Sequence, residues 1–424
     1  MARRSTAARI ADALGVVLGV DRPPVRLRAW DGSEAGPVGA PVVVVRSRRA
    51  LRRLVWAPDE LGLARSYVAG DLDVEGDLFA AFSAISAAGR LTPGTEAAAA
   101  TLGERLELLR TALRLRVIGL PPPPPPEELR VRGRRHSRAR DAAAVSSHYD
   151  VGNDFYRLVL GPSMVYSCAV WQDGTTGLDA AQEAKLDLVC RKLGLAPGMR
   201  LLDVGCGWGS LALHAAGRYG VDVVGVTLSG EQARMAEKRV AEAGLSDRVE
   251  IRVQDYRDVS DGPFDAIASV GMAEHVGEAE LPGYATRLHD LLRPGGRLLN
   301  HAIAWSGGQV TWDDDGFIAR YVFPDGELVR LGAMVGVLEG AGLEVLDVEA
   351  LRQHYALTLR AWVGRLEDGW DEAVALTSEG RARVWRLYMA ASALAFETGV
   401  MGVNQALAQR PGGDPPPLRR TGWI

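Results

Sequence analysis

Through the last two thirds of the chain, short apolar runs alternate with stretches whose apolar residues recur at helical spacing. Met199–Val204, Asp222–Thr227, Val249–Gln254, Phe264–Val270 and Arg297–Ala302 read as strands, and Leu343–Val348 as a later one. Ser210–Tyr219 reads as a helix directly behind the first strand, and Arg381–Phe396 as a long helix with apolar positions at i, i+3 and i+4. This alternation predicts an α/β fold, a mainly parallel sheet with helices on both faces.

The stretch up to about residue 118 is different. It mixes a β-rich part around Val42–Val45 and Leu51–Trp56 with helical segments, the last from about Thr95 to Val117. Ile10, Leu14, Val17 and Leu18 share one helical face, and Asp12 interrupts the apolar stretch. The N-terminus therefore reads as an amphipathic helix rather than a secretion signal. Pro121 to Pro126 are consecutive prolines, which lack amide donors and favour an extended rod. They divide the chain into a smaller N-terminal accessory domain (1–120), a linker (121–145) and a second domain (146–424). Within Glu127–Asp141, Arg130, Arg132, Arg134, Arg135, Arg138 and Arg140 outnumber the acids, which suits either a solvated linker or attraction to anionic phospholipid headgroups. No apolar run approaches the roughly 18 residues of a membrane span.

Composition removes several classes of function. With 47% hydrophobic and 24% charged residues the chain can bury a core, and a net charge of −4 supplies no global field to hold nucleic acid. Cys168, Cys190 and Cys206 form no CxxC pair, which fits a reducing cytoplasm and neither a disulfide framework nor a zinc knuckle. His136, His214, His289 and His354 show no ligand spacing, so no metal is expected.

The chemistry gathers at Leu201-Leu202-Asp203-Val204-Gly205-Cys206-Gly207-Trp208-Gly209, a strand that ends in an acid and passes into alternate glycines. Glycines beyond a strand's carboxyl end let a ligand approach the backbone. A pyrophosphate-binding loop would read GxGxxG with an acid about 20 residues further on, whereas this one reads DxGxGxG and the next strand ends in Thr227-Leu228-Ser229. The pattern resembles the first motif of class I S-adenosylmethionine-dependent methyltransferases, whose sheet is Rossmann-like.

Further stretches sharpen the resemblance: His148-Tyr149-Asp150-Val151-Gly152-Asn153, Met164-Val165-Tyr166-Ser167-Cys168, Gly225 to Ser229 with Gln232, Ser269 to Gly277, Tyr321-Val322-Phe323-Pro324, and His354-Tyr355. In this order they resemble the cyclopropane-fatty-acid synthases, including relatives that modify mycolic acids or install methylene and methyl branches.

The resemblance implies that Tyr166 and Ser167 meet the methionine end of the cofactor, while Asp203, Gly205, Gly207 and Gly209 line its loop. Thr227, Leu228 and Gln232 would hold the ribose region, and Gln254, Asp255 and Tyr256 the adenine. It also implies a pocket holding bicarbonate as the base, at positions matching Cys168, Glu274, His301, Ile303 and Tyr355. Outside these motifs Cys168 would read as buried filler, Glu274 as a helix-start acid, His301 as a core histidine and Tyr355 as a packing aromatic. His275 reads as structural, because neighbours on a helix do not share a face. His148 suits orientation of the cofactor or a packing role equally. Where the family commonly has a cysteine in its C-terminal helix this chain has Ser392, so no covalent cysteine adduct is expected there.

The implied substrate is a cis double bond in an unsaturated phospholipid acyl chain, whose attack on the cofactor's methyl leaves a carbocation. Tyr149, Trp171, Tyr284, Tyr321 and Phe323 are candidates for shielding it. Proton loss from the new methyl closes a cyclopropane, and loss from the chain leaves a methylene branch that a separate reductase could saturate; both products stay open. The implied place is the cytoplasm, peripheral to the inner face of the membrane, with a homodimer as one role for the accessory domain. The alternatives are a small-molecule O- or N-methyltransferase and a noncatalytic lipid-binding protein on the same fold.

Overall fold

The computed structural model describes residues 4–87, 101–129, 140, 151–174, 176–306 and 315–420. Expectations on His136, His148, Tyr149 and the arginines from Arg130 to Arg138 lie outside the described residues, as does the start of the helix expected from Thr95. The chain forms two compact units. One comprises Met1–Arg130, Gly308–Val322 and Ser378–Leu394, and the other Val131–Gly307, Phe323–Thr377 and Ala395–Ile424.

The first unit carries a four-stranded sheet of β1 (Arg26–Ala29), β2 (Glu34–Ala35), β3 (Val42–Val45) and β4 (Leu72–Glu75) in the order β2-β1-β3-β4. The helix Thr6–Leu18 precedes it, capped by Ser5, whose side chain accepts from the Ala8 amide. Leu51–Trp56, expected to belong to the β-rich part, is instead the end of a helix, Arg48–Trp56. Ser47 starts this helix by accepting from the Arg49 amide. Buried Asp71 then accepts from Ser47 Oγ at 2.6 Å and Arg49 Nε at 3.1 Å. Ala50 and Arg53, three apart, face inward, and Arg53 donates to the Pro123 carbonyl at 2.7 Å. A buried arginine in the apolar stripe had concealed the helical period.

The second unit holds the larger sheet, with strands β5 (Arg200–Val204), β6 (Asp222–Thr227), β7 (Val249–Val253), β8 (Phe264–Val270), β9 (Leu292–Trp305), β10 (Val329–Arg330), β11 (Glu344–Ala350) and β12 (Met401–Gln409). The order is β11-β12-β9-β8-β5-β6-β7, with β10 beside β9; β12 runs antiparallel to both its neighbours and the other pairs are parallel. The α/β fold with a mainly parallel sheet is therefore as expected. One core layer packs around Leu201, Val223 and Ala266, and a second around Leu202, Ile267 and Leu298, because successive side chains on each strand point to opposite faces. Strand order reverses at β5, between β6 and β8, and crevices at such switch points are where α/β sheets bind ligands.

Candidate active site

A cavity of about 410 Å³ opens at that switch point. Its wall includes Tyr166, Ser167, Asp203, Gly205, Gly207, Thr227, Leu228, Gln232, Gln254, Asp255 and Tyr256. Of the residues expected to hold the cofactor, only Gly209 stands outside the lining; it opens the helix Ser210–Tyr219 with φ 77°, and a Cβ there would meet the Ala236 methyl at 3.1 Å. Gly205 has φ 78°, and a Cβ on it would fall 2.6 Å from Met272 Cγ, so the loop and the turn after β8 can approach only because that residue is glycine. The amides of Gly205 and Cys206 both donate to the Val226 carbonyl, at 2.9 and 3.0 Å, fixing the loop on β6. Thr227 Oγ1 donates to Gln232 Oε1 at 2.9 Å, which leaves the amide nitrogen of Gln232 directed toward Gly207. Asp255 is paired with Arg257 at 2.6 Å, and the Tyr256 ring stands edge-on to Tyr284 with centroids 5.5 Å apart.

The acid at the end of β5 has an unusual setting. Asp203 is buried, and one of its oxygens, Oδ2, has no hydrogen-bond partner. Burial pushes its carboxyl up to about 7, against the pull of Lys185. A glycine cradle beside a buried carboxyl oxygen without a partner, with tyrosine rings on the same wall, fits S-adenosylmethionine: the loop would admit its methionine part and Asp203 could answer its ammonium.

Glu274, His301, Ile303, Cys168 and Tyr355 do not line this cavity; hydrogen bonds at either end of the cross-strand pair Ile303–Val403 bring four of them together, and His301 lies two residues from Ile303 on β9. Glu274 Oε1 accepts from the Ile303 amide at 2.8 Å. Ile303 pairs with Val403 across β9 and β12, and the Val403 carbonyl accepts from the Leu351 amide at 2.8 Å. The Leu351 carbonyl in turn accepts from the Tyr355 amide at 3.1 Å and from the Cys168 thiol at 3.6 Å. His301 is on the same sheet face as Ile303. Its carbonyl accepts from the Gly271 amide at 2.8 Å, and Gly271 does line the cavity.

Burial governs the charge of this cluster. It pushes Glu274 up to about 7, where both forms are accessible, and His301 down to about 3, so the imidazole is neutral. Gln405 Nε2 lies 3.3 Å from His301 Nδ1, and with the amide as donor the ring proton is on Nε2. Glu274 Oε2 and His301 Nε2 are both buried without a partner. With the carboxyl protonated and the imidazole proton on Nε2, the two would be donors suited to a small oxyanion, and bicarbonate fits such a donor set. The Cys168 thiol is raised well above its ordinary value by burial, which keeps it protonated as the donor to Leu351.

Aromatic rings connect the cavity to this cluster. Tyr166, on the cavity wall, stacks at 5.4 Å on fully buried Trp362, which meets Tyr355 at 6.1 Å; Tyr355 lies 4.7 Å from Phe396. Trp362 and Phe396 escaped the sequence reading because apolar rings in long helices resemble ordinary core. Among the aromatics expected to shield a cation, Tyr284 and Phe323 line the cavity. Trp171 is held by His354 and Thr358 at 2.9 and 3.1 Å, Tyr321 belongs to the first unit, and Tyr149 is outside the described residues. His275, expected to be structural, lines the cavity edge-on to Phe323. Lys185 lines it too; the available signal was polar residues, Gln182, Lys185 and Lys192, on a largely apolar helix face.

The family model described as mycolic acid cyclopropane synthetase matches residues 136–406. A probable fatty acid methyltransferase of Mycobacterium tuberculosis is 44% identical over 97% of this chain and 97% of its own. The cyclopropane-fatty-acyl-phospholipid synthase of Escherichia coli is 40% identical over 68% of this chain and 74% of its own. The crystal structure of a mycolic acid cyclopropane synthase complexed with SAH and CTAB superposes with a TM-score of 0.59, at 35% identity over 63% of this chain and 98% of that one.

Proposed function

The chain belongs to the mycolic acid cyclopropane synthetase family of S-adenosylmethionine-dependent methyltransferases, and from that premise we propose that it adds a one-carbon unit to the cis double bond of unsaturated phospholipid acyl chains. The observation that carries the reading is the pair of buried polar atoms without partners, Glu274 Oε2 and His301 Nε2, beside a glycine-loop cavity.

S-adenosylmethionine, when bound, supplies an electrophilic methyl group on sulfonium. Gly205, Gly207 and Gly209 shape its loop, Thr227 with Gln232 takes the ribose region, and Asp255 with Tyr256 takes the adenine. An alkene carbon that receives the methyl leaves a positive charge on its neighbour. The Tyr166, Trp362 and Tyr355 rings exclude water from it, and a desolvated aromatic face is worth about 2 kcal/mol to a cation. Glu274, His301 and the Ile303 backbone would hold a bicarbonate ion, and Tyr355 and Cys168 complete that pocket. The proton lost by the substrate cation would pass to the bicarbonate held there, and Glu274, whose carboxyl burial raises to about 7, can relay it onward while His301 stays neutral.

The test is direct. Cells supplied with oleate and expressing the protein should accumulate an acyl chain heavier by one CH2 group, and NMR distinguishes a ring from a methylene branch. Recovery of unmodified oleate alone would overturn the assignment.

The substrate lies in a bilayer, and we further propose that the first unit meets its surface. Among the described residues no helix is long and apolar enough to cross a membrane. On the helix Leu102–Leu115, however, Leu106, Leu109 and Leu113 are exposed on one face, and Ile118, Leu120, Val55 and Trp56 are exposed nearby, with the Trp56 indole donating to the Gly119 carbonyl at 2.8 Å. Arg110, Arg114 and Arg116 are exposed alongside. An apolar stripe edged by arginines suits an anionic interface, where each basic residue contributes about 1 kcal/mol. Replacing the three arginines by glutamine should weaken binding to phosphatidylglycerol vesicles by roughly 100-fold at low salt. Unchanged co-sedimentation with such vesicles would remove this face from the account.

A further inference from the structure

The chain has three lysines against 46 arginines, yet Lys185 is wholly buried on the cavity wall. It sits in the helix Leu178–Leu193, one turn beyond Gln182 on the buried face. Both side chains converge on Ser167: Gln182 Nε2 donates to the Ser167 carbonyl at 2.9 Å, and Lys185 Nζ donates to Ser167 Oγ at 3.1 Å. An ammonium carries three protons. The one on Ser167 is accounted for, and among the described residues the other two have no hydrogen-bond partner and no carboxylate lies within salt-bridge distance of Nζ. Because Ser167 Oγ accepts from Lys185, its own proton is free to donate into the cavity. Across the same wall Asp203 Oδ2 is buried and unpartnered.

We propose that Lys185, acting directly and through Ser167, is the residue that recognises the α-carboxylate of the bound cofactor, opposite Asp203, which takes its α-ammonium. The inference rests on the S-adenosylmethionine reading and adds to it a charge-complementary clamp for a zwitterion. A buried cation with two idle protons and a buried carboxylate with an idle oxygen are both costly alone. An amino-acid moiety between them satisfies the two at once. The choice of lysine follows from space: an ammonium is a compact point charge, whereas a guanidinium is a wide planar fork. Burial draws Lys185 down to about 8, consistent with an ammonium that lacks a full counter-charge until the ligand arrives.

The test compares two ligands by calorimetry on the full chain. S-adenosylhomocysteine has the carboxylate, and S-adenosyl-3-thiopropylamine differs from it only in lacking that group. The native protein should prefer S-adenosylhomocysteine by about 10- to 100-fold, the usual size for a hydrogen bond to a charged group. Lys185→Met should bind the two alike, having lost affinity only for the carboxylate-bearing one. Equal weakening of both ligands, or native-like preference in the variant, overturns the proposal. If Lys185→Met gives no cooperative melt, Ser167→Ala is held to the same criterion of reduced preference. A native protein that binds neither ligand overturns the cofactor reading itself, whereas one that binds both without preference overturns this inference alone.

Discussion

Glu274→Gln keeps a neutral donor but loses the exchangeable carboxyl proton, so turnover of unsaturated phospholipid should fall by about 10²- to 10⁴-fold, the range for loss of a positioned acid or base, while affinity for S-adenosylhomocysteine stays within about twofold. The separation follows from geometry, because Glu274 is fixed on the Ile303 amide and does not line the cofactor cavity. The same change carries a stability signature of opposite sign. Burial raises the Glu274 carboxyl from 4.5 to about 7. A raised carboxyl is protonated in the folded chain while the unfolded one has already ionised. Its stability is therefore complete below about pH 4.5 and is lost as pH rises toward 7, a total on the order of 3 kcal/mol. Glutamine does not titrate, so the variant should melt higher than the native protein at pH 8 and nearly with it at pH 4.5. Thermal melts across that interval check this; parallel curves, or native-like turnover, would sink the assignment of Glu274 as the neutral buried donor.

Trp362→Ala should have the largest effect on stability, about 3–5 kcal/mol, as expected for removing a fully buried indole. Trp362 is wholly buried, and its Nε1 has no hydrogen-bond partner, so the loss comes from packing alone. The ring touches both Tyr166 on the cavity wall and Tyr355 in the Glu274 and His301 cluster. Its removal should therefore weaken cofactor binding and turnover together, which Glu274→Gln does not do. Trp362→Phe keeps an apolar ring and should recover most of both. Denaturant unfolding with calorimetry in parallel decides the matter, and a loss below about 1 kcal/mol would show that the rings do not couple the two pockets.

Much of the site was legible because it is local. β5, its glycine loop and the helix behind it occupy consecutive residues, and a strand passing through glycines into a helix can make few other shapes. β12 was not anticipated: Met401–Gln409 interleaves small and polar residues, and Gln405 and Gln409 are buried beside Val403 and Leu407, which erases the alternation that marks a strand. Leu51–Trp56 misled for a related reason, since buried Arg53 occupies a place where the pattern calls for an apolar side chain. Polar residues with buried partners defeat any reading that equates polar with exposed.

The residues expected near the cofactor came from the family resemblance, whereas the amino-acid sequence alone determined the α/β class, the strand runs from Arg200 to Val270 and the DxGxGxG loop. These depend on periodicity and on backbone freedom, which neighbours along the chain set. Only the tertiary structure decided that Glu274 reaches Cys168 and Tyr355 by way of Ile303, Val403 and Leu351, that Trp362 bridges two aromatic walls, and that a lone lysine faces the cavity. Those contacts join segments far apart along the chain, and their charges are governed by desolvation, a property of the folded interior that does not exist until the core closes.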